Sequence, residues 1–221
     1  QARDLLPMLL PHLSEGPIKD QLSQWDCRYH LESYEATLFA RLYTNVLLEI
    51  FGHEQGIGWR RMLYLCTRAG FSTMVLTYID RLLQQRQSFW WLGRDKGLLI
   101  RRAEARTAAL KPLPWGQVNS FRFTNRFVEG GLVGRALRLQ TGAMGMPGNY
   151  ATPFQGHLLK AGQRISTFAP SYHFVTDMST DEAWTNLPGG PSESSVSGWY
   201  RTDIARWHAG QYKRLAPGPV G

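Results

Sequence analysis

Leu110-Lys-Pro-Leu-Pro-Trp-Gly-Gln-Val-Asn-Ser-Phe-Arg-Phe-Thr-Asn-Arg-Phe-Val128 is the stretch in which the hydrophobic period of the chain changes. Before it, apolar residues recur at steps of three and four, the spacing of a helix face. Within Val118–Val128 they alternate: Phe121, Phe123 and Phe127 fall on one face, and Ser120, Arg122, Thr124 and Arg126 on the other, as in a strand. Pro112 and Pro114 separate the two patterns. The expected fold class is therefore α+β, with a helical segment over residues 1–112 and a β-rich segment with a short C-terminal helix over 113–221. Helices followed by strands, rather than alternating with them, argue against a doubly wound sheet.

Upstream of the change, Pro17–Trp25 reads as a short helix with Pro in its first turn. Ser33 opens the clearest helix, in which Ala36, Phe39, Ala40, Tyr43, Val46, Leu47 and Ile50 form one apolar stripe and Gly52 is the stop. Further helices are expected over Trp59–Ala69, Ser72–Gln85 (Val75, Leu76, Ile79, Leu82 and Leu83 on one face) and Leu98–Leu110. Downstream, Gly130-Gly131 and Gly142–Gly148 are loop material, Tyr172–Met178 a second strand, and Pro188–Ser192 a turn. Tyr200, Ile204, Trp207 and His208 mark a short amphipathic helix ended by Gly210. There is no internal repeat.

With 221 residues, 43% hydrophobic and 19% charged, the composition excludes a disordered chain, and a chain this long can bury roughly 70% of its unfolded surface. Apolar runs such as Leu5–Leu10 fall far short of the ~20 residues a spanning helix needs, so no membrane span is expected. The chain opens Gln-Ala-Arg-Asp-Leu-Leu, without an initiator Met or signal-peptide features, and reads as a mature chain, a processed subunit or a piece of something longer. The net charge of +8 is concentrated between Arg94 and Arg138. No zinc-finger, helix-turn-helix or RNP pattern accompanies it, so Arg101, Arg102 and Arg106 read as a solvated basic face and no nucleic-acid partner is expected. Cys27 and Cys66 stand alone beside apolar helical positions, as buried free thiols do.

The residue types offer little chemistry by themselves. The six histidines have no metal-ligand spacing, and phosphate-binding loops and nucleophile elbows are missing. Ser192 sits in a Gly-rich loop without an identifiable base and reads as a loop-pinning hydroxyl. Asn119 and Asn125 fall on the Phe121/Phe123 face, so at least partial burial is expected. A structural amide network or a substrate contact would satisfy them. Asp177, near the end of the second strand, either caps the turn into Ser179-Thr180-Asp181 or orients another group.

Three stretches together resemble the penicillin acylase family of N-terminal-nucleophile amidohydrolases. The first is Trp25-Asp26, then Glu32-Ser33, with Ala36 and Leu38-Phe39 following. The second is Trp115-Gly116 at the opening of the strand. The third contains Ala169-Pro-Ser171-Tyr-His-Phe-Val-Thr-Asp177, then Leu187-Pro-Gly189-Gly190-Pro-Ser192, then Trp199-Tyr200, Trp207, Gly210 and Tyr212. Their order and spacing cover nearly the whole chain. The departures are Asn119 and Asn125 where the family usually has two histidines, His173 for an arginine, and Glu193 for the glycine after the loop serine.

The resemblance implies part of an αββα sandwich and hydrolysis of linear amides, such as the acyl side chains of β-lactams or other N-acyl compounds. It implies a nucleophile at the N-terminus of a long β chain, with its own α-amine as base. Gln1 has neither hydroxyl nor thiol, and the similar residues map to the C-terminal part of that β chain. No catalytic residue is therefore expected here, except that Asp177 is a candidate for the carboxylate that supports a histidine beside the nucleophile in cephalosporin-cleaving relatives. The resemblance further implies a structural calcium bound by residues outside this segment. The implied partners are the remainder of the enzyme (the upstream β-chain portion and the α subunit) and a small N-acyl amide substrate, and the implied location is periplasmic or secreted. The rival reading is a non-catalytic helical/β interaction module using Trp90-Trp91 and the other aromatics as its surface.

Overall fold

Ser33 starts the central element of the computed structural model, which describes residues 1–65, 78–123, 132–137, 139–149, 152, 164–166 and 169–215. Its Oγ accepts from the Ala36 amide at 3.1 Å, satisfying one of the four donors that a helix leaves open at its start. Ahead of the resulting helix lie α1 (Ala2–Leu9), a 3-10 turn (Leu10–His12) and α2 (Pro17–Gln24); the central helix itself is α3 (Tyr34–Phe51). After it come α4 (Trp59–Leu65), α5 (residues 78–84), a second 3-10 turn (Phe89–Trp91) and α6 (Lys96–Ala108), capped by Asp95. The first half is helical, and the fold is mixed α+β.

The apolar stripe of α3 is buried, but so are Thr37, Leu42, Thr44, Leu48, Glu49 and Phe51. The helix is enclosed on nearly all sides rather than along one face. Of its buried polar residues, Thr37 has no partner for Oγ1 among the described residues, but Thr44 and Glu49 have theirs. Thr44 returns its hydroxyl to Ala40 O at 2.8 Å, and Glu49 pairs with Arg106 of α6 at 2.6 Å. Asn45 Nδ2 donates to Thr107 Oγ1 of α6 at 3.0 Å. Arg94 closes the other end of α3, donating to the carbonyls of Glu49 (2.9 Å), Ile50 (3.0 Å) and Trp91 (3.0 Å). A cation at a helix C-terminus satisfies orphan carbonyls and the dipole together.

The expected strand over Val118–Val128 is corrected. Pro114 opens a helical turn, α7 (Trp115–Val118), and among the described residues of this stretch only β1 (Asn119–Phe121) is extended in a sheet. Phe123 bonds instead to Thr141, its amide to Oγ1 at 3.0 Å and its carbonyl from the Thr141 amide at 2.9 Å. Residues 124–128, with Asn125 and Phe127, lie outside the described residues, as do Cys66, Gly130-Gly131 and the ends of the helices expected over Trp59–Ala69 and Ser72–Gln85. The second expected strand is present as β4 (His173–Asp177) and the C-terminal helix as α9 (Ile204–His208). Gly210 ends α9 with a left-handed φ of 67°.

Among the described residues, two three-stranded sheets form. In the first, β1 lies between β2 (Met144–Gly145, antiparallel) and β3 (Arg164–Ser166, parallel). In the second, the β4 hairpin partner β5 (Glu182–Asn186) lies between β4 and β6 (Lys213–Leu215), all antiparallel. A five-residue helix, α8 (Leu132–Ala136), precedes β2. The chain divides into two compact units: residues 1–121 with 144–168, and 122–143 with 169–221. This division is not the compositional break at 112/113, because α7, β1, β2 and β3 group with the helices. The first unit holds a continuous core from Leu5, Leu6 and Leu9 through α3 to Leu99, Ile100 and Trp115. In the second, Trp207 is fully buried and packed edge-on against Phe123 at 5.5 Å.

The aromatic pair of the rival interaction-module reading is not a free surface. Trp91 is buried, and Trp90 packs edge-on against Phe51 at 4.8 Å while its indole N–H donates to Tyr78 Oη.

Candidate functional site

In the first unit, the first two motif stretches meet. Trp25 leaves α2 in an extended conformation, and its indole N–H donates to Arg28 O at 3.2 Å. Asp26 tightens the same turn by accepting from the Arg28 amide at 2.9 Å, and Cys27 takes the left-handed φ of 62° that the turn imposes. Tyr29 then sits between the rings of Trp25 (5.3 Å) and Trp115 (5.1 Å). The first two amides of α7 are those of Trp115 and Gly116, which a helix start leaves unpaired. They donate to Ser33 O at 2.9 Å and Leu31 O at 2.7 Å.

The segment around β2 completes this junction. Trp115 Nε1 donates to Gly148 O at 2.9 Å, and the Gly148 amide to Tyr29 O at 2.9 Å. Gly145 lies against Gly116 so closely that a Cβ at 145 would be 2.8 Å from Gly116 O. A Cβ at Gly116 would press on Leu31 at 3.2 Å. Backbone contact of this kind is what glycine permits.

Asn119 is fully buried at the same place. Its Nδ2 donates to Met146 O at 2.8 Å, with Gly148 O at 3.5 Å, and its own carbonyl accepts from the Met146 amide at 2.7 Å. Two carbonyls facing the amide fix its orientation, since the flipped amide would oppose oxygen to oxygen. Oδ1 is left buried without a donor among the described residues. The buried amide network is present, with one acceptor unmet.

Around this junction, a cavity of about 230 Å3 is lined by Gln1, Ala2, Arg3, Asp4, Cys27, Tyr29, Asn149 and Thr152. Its chemistry is quiet. Burial pushes the Cys27 thiol above its usual range, so it is held neutral rather than as a nucleophilic thiolate. Nearby, Gln1 Nε2 and Tyr43 Oη donate to the Asp80 carboxylate at 3.0 and 2.6 Å. Burial nonetheless raises that carboxyl above the ordinary range, against the pull of both hydrogen bonds. A second cavity, of about 500 Å3, is walled by Ile18, Leu38, Leu110 and Pro112 and edged by Glu104, whose carboxylate is held by the Ser14 amide and hydroxyl at 3.0 Å.

The third motif stretch lies in the second unit. Asp177 is exposed, and its Oδ1 accepts from Ser179 Oγ (2.7 Å) and the Ser179 amide (2.9 Å), which hold the carboxyl below its usual range. This is the turn cap of the two readings. His173 stacks on Tyr212, with ring centroids 6.1 Å apart. Ser171 and Glu32 are exposed. Ser192 accepts from the Ser194 amide at 3.2 Å, a loop-pinning bond. Gly189 O accepts from the Asp203 amide at 2.8 Å, and a Cβ at Gly190 would run into the Trp199 carbonyl. Trp207 Nε1 donates to Pro170 O at 3.1 Å, tying α9 to the start of β4.

Trp25, Asp26, Ser33, Trp115, Gly116, Asn119, Gly190 and Ser192 thus each have a packing, capping or turn role. The penicillin amidase family model matches residues 1–218. The chain belongs to the penicillin amidase family. It is thereby placed among the N-terminal-nucleophile hydrolases. No curated protein matches it.

In this penicillin amidase chain, the junction fixes where β1 leaves the helices. No group of three or more His, Cys, Asp or Glu among the described residues is placed to hold a metal ion. None of their helices is long and apolar enough to cross a membrane. The contributions of Gly145, Met146 and Gly148 were invisible in sequence beyond a Gly-rich loop, because what they supply is backbone.

Proposed function

We propose that this chain is the C-terminal portion of a penicillin-acylase-like amidohydrolase that cleaves linear amide bonds, and that the nucleophile lies outside these residues. The substrates are N-acyl compounds, the acyl side chains of β-lactams among them. The observation that carries the reading is the family match over residues 1–218. It is supported by the joining of Trp25–Ser33 to Trp115-Gly116 through backbone bonds. Both stretches serve as structure, and so does Ser192, whose hydroxyl is engaged by its own loop.

In the complete enzyme the reaction would run by nucleophilic attack on the amide carbonyl, an acyl-enzyme, and attack by water. Stabilisation of the tetrahedral oxyanion is the largest electrostatic contribution to such chemistry. The partners on this reading are the remainder of the β chain and the α subunit, in the periplasm or outside the cell, with any calcium held by those other segments.

The test is hydrolysis of phenylacetyl, glutaryl and aliphatic acyl-anilides by the purified chain, alone and after co-expression with the rest of the enzyme. The chain alone is expected to match the buffer blank, and the assembled enzyme to turn over at least one substrate. Turnover by the chain alone would place the nucleophile within it and overturn the proposal.

A further inference from the structure

Two carboxylates of the helical unit, Glu49 and Glu104, are each only 8% exposed. Glu49 has its cation in Arg106. Glu104 has none: no ion pair among the described residues includes it. Its partners are the Ser14 amide and hydroxyl, which each donate to Oε2 at 3.0 Å, with the amide 3.2 Å from Oε1. Both donors are neutral. A carboxylate taken out of water is costly unless it is paired, and hydrogen bonds alone offset only part of that cost.

Glu104 also borders the cavity of about 500 Å3. The apolar walls are Ile18 of α2, Leu38 of α3, and Leu110 and Pro112 just beyond α6, and Leu110 is left 42% exposed. The cations at this cavity are turned elsewhere. Lys19 pairs with Glu15 at 2.5 Å. Arg101 lines the cavity, but its guanidinium folds back along α6, with Nη1 3.4 Å from where a Cβ at Gly97 would stand. What remains is an apolar hollow with one oriented, uncompensated anion at its edge. Its complement is a basic side chain among apolar ones, whose stem would cover Leu38 and Leu110 while its charged head reaches Glu104.

We propose that this cavity is a docking site for the rest of the enzyme, which supplies a lysine or arginine to pair with Glu104 and apolar side chains to fill the space against Ile18, Leu38 and Leu110. The proposal rests on the hydrolase reading, because the missing cation is placed on the remainder of that enzyme. Ser14 holds the carboxylate in its binding orientation beforehand, so docking has little ordering left to do.

Glu104→Gln separates this role from support of the chain's own fold. The amide keeps both Ser14 contacts, its oxygen accepting from the backbone N–H and its nitrogen donating to the hydroxyl, while the charge is removed. The isolated chain is expected to keep or raise its urea midpoint, since a buried unpaired charge is gone. The complex formed on co-expression with the rest of the enzyme, diluted and followed by size-exclusion chromatography, is expected to dissociate roughly tenfold more readily or worse, because its cation is now orphaned. A midpoint that falls in the isolated chain as much as in the complex makes Glu104 a support of its own fold and overturns the proposal. Ala108→Phe, which fills the cavity from an exposed position on α6, is expected to give the same loss of association, and it stands in if the first variant does not fold. n-Hexylammonium, an apolar chain with a cationic head, is expected to bind the isolated chain by NMR shift perturbation and to be excluded from the complex. Equal binding to both would make the cavity a small-amine site and overturn the proposal. An active complex indifferent to both variants overturns the docking site and leaves the hydrolase reading standing. No complex with the native chain overturns both.

Discussion

Gly145 decides how closely β2 can lie on the Trp115–Gly116 turn. An added methyl would sit 2.8 Å from Gly116 O and 3.0 Å from its Cα, both backbone atoms that cannot swing away. Gly145→Ala is therefore expected to lower stability by about 1–3 kcal/mol, measured as a shift in the urea midpoint. Gly142→Ala, where a Cβ meets nothing within 4 Å, should change it by less than about 1 kcal/mol. Ser33→Ala removes the cap of α3 and is expected to cost about 1 kcal/mol. Asp80 carries a pH signature. Its carboxyl is raised above 3.8 in the folded chain, so the folded state binds that proton more tightly than the unfolded one. Its contribution is then most favourable below pH 3.8 and is lost as pH rises through the raised folded value. Urea titrations of the native chain and Asp80→Asn should therefore diverge in favour of the variant as pH rises through that window. Parallel curves would show that burial does not dominate at this carboxyl.

At the scale of elements, Arg94 joins the end of α3 to the segment that leads into α6. Arg94→Ala removes charge-assisted bonds to four carbonyls and is expected to destabilise by about 1.5–3 kcal/mol, read from thermal unfolding. Arg94→Lys should recover less than half, because an ammonium lacks the guanidinium's planar spread of donors. The helices were legible in sequence wherever their ends were made by local chemistry. Ser33, Gly52 and Gly210 each act within a turn of themselves and mark the boundaries where they fall. α1 escaped notice because Pro7 lies inside it. The shortness of β1 could not be read at all, since the α7 turn ahead of it is held by the carbonyls of Leu31 and Ser33, some eighty residues away. β5 and β6 escaped notice for a related reason: their pairing is set by backbone bonds that side-chain types do not record. Asn119 was legible as a buried amide, whereas its partners, the carbonyls of Met146 and Gly148, were not.

Over the whole molecule, apolar burial is uneven. The first unit carries the hydrophobic core. In the second, the buried side chains among the described residues are Trp207 and the polar Gln140, Thr185, Asn186 and Asp203, the last paired with Lys213. Buried apolar surface is the dominant favourable term in folding, so opening free energy should follow this division. Hydrogen exchange is expected to be slowest in α3 and α6 and faster in β4–β6, and the reverse order would contradict the assignment of the core. Trp207→Ala is expected to abolish protection in β4–β6 while leaving α3 unchanged. The backbone approach of Gly116 to Gly145 has a wider consequence. Because the Trp-Gly pair is demanded by packing, a descendant that lost its activity would still need it to fold. A survey that counts this signature will therefore count silent relatives among working enzymes, and only a segment that carries the nucleophile can tell them apart.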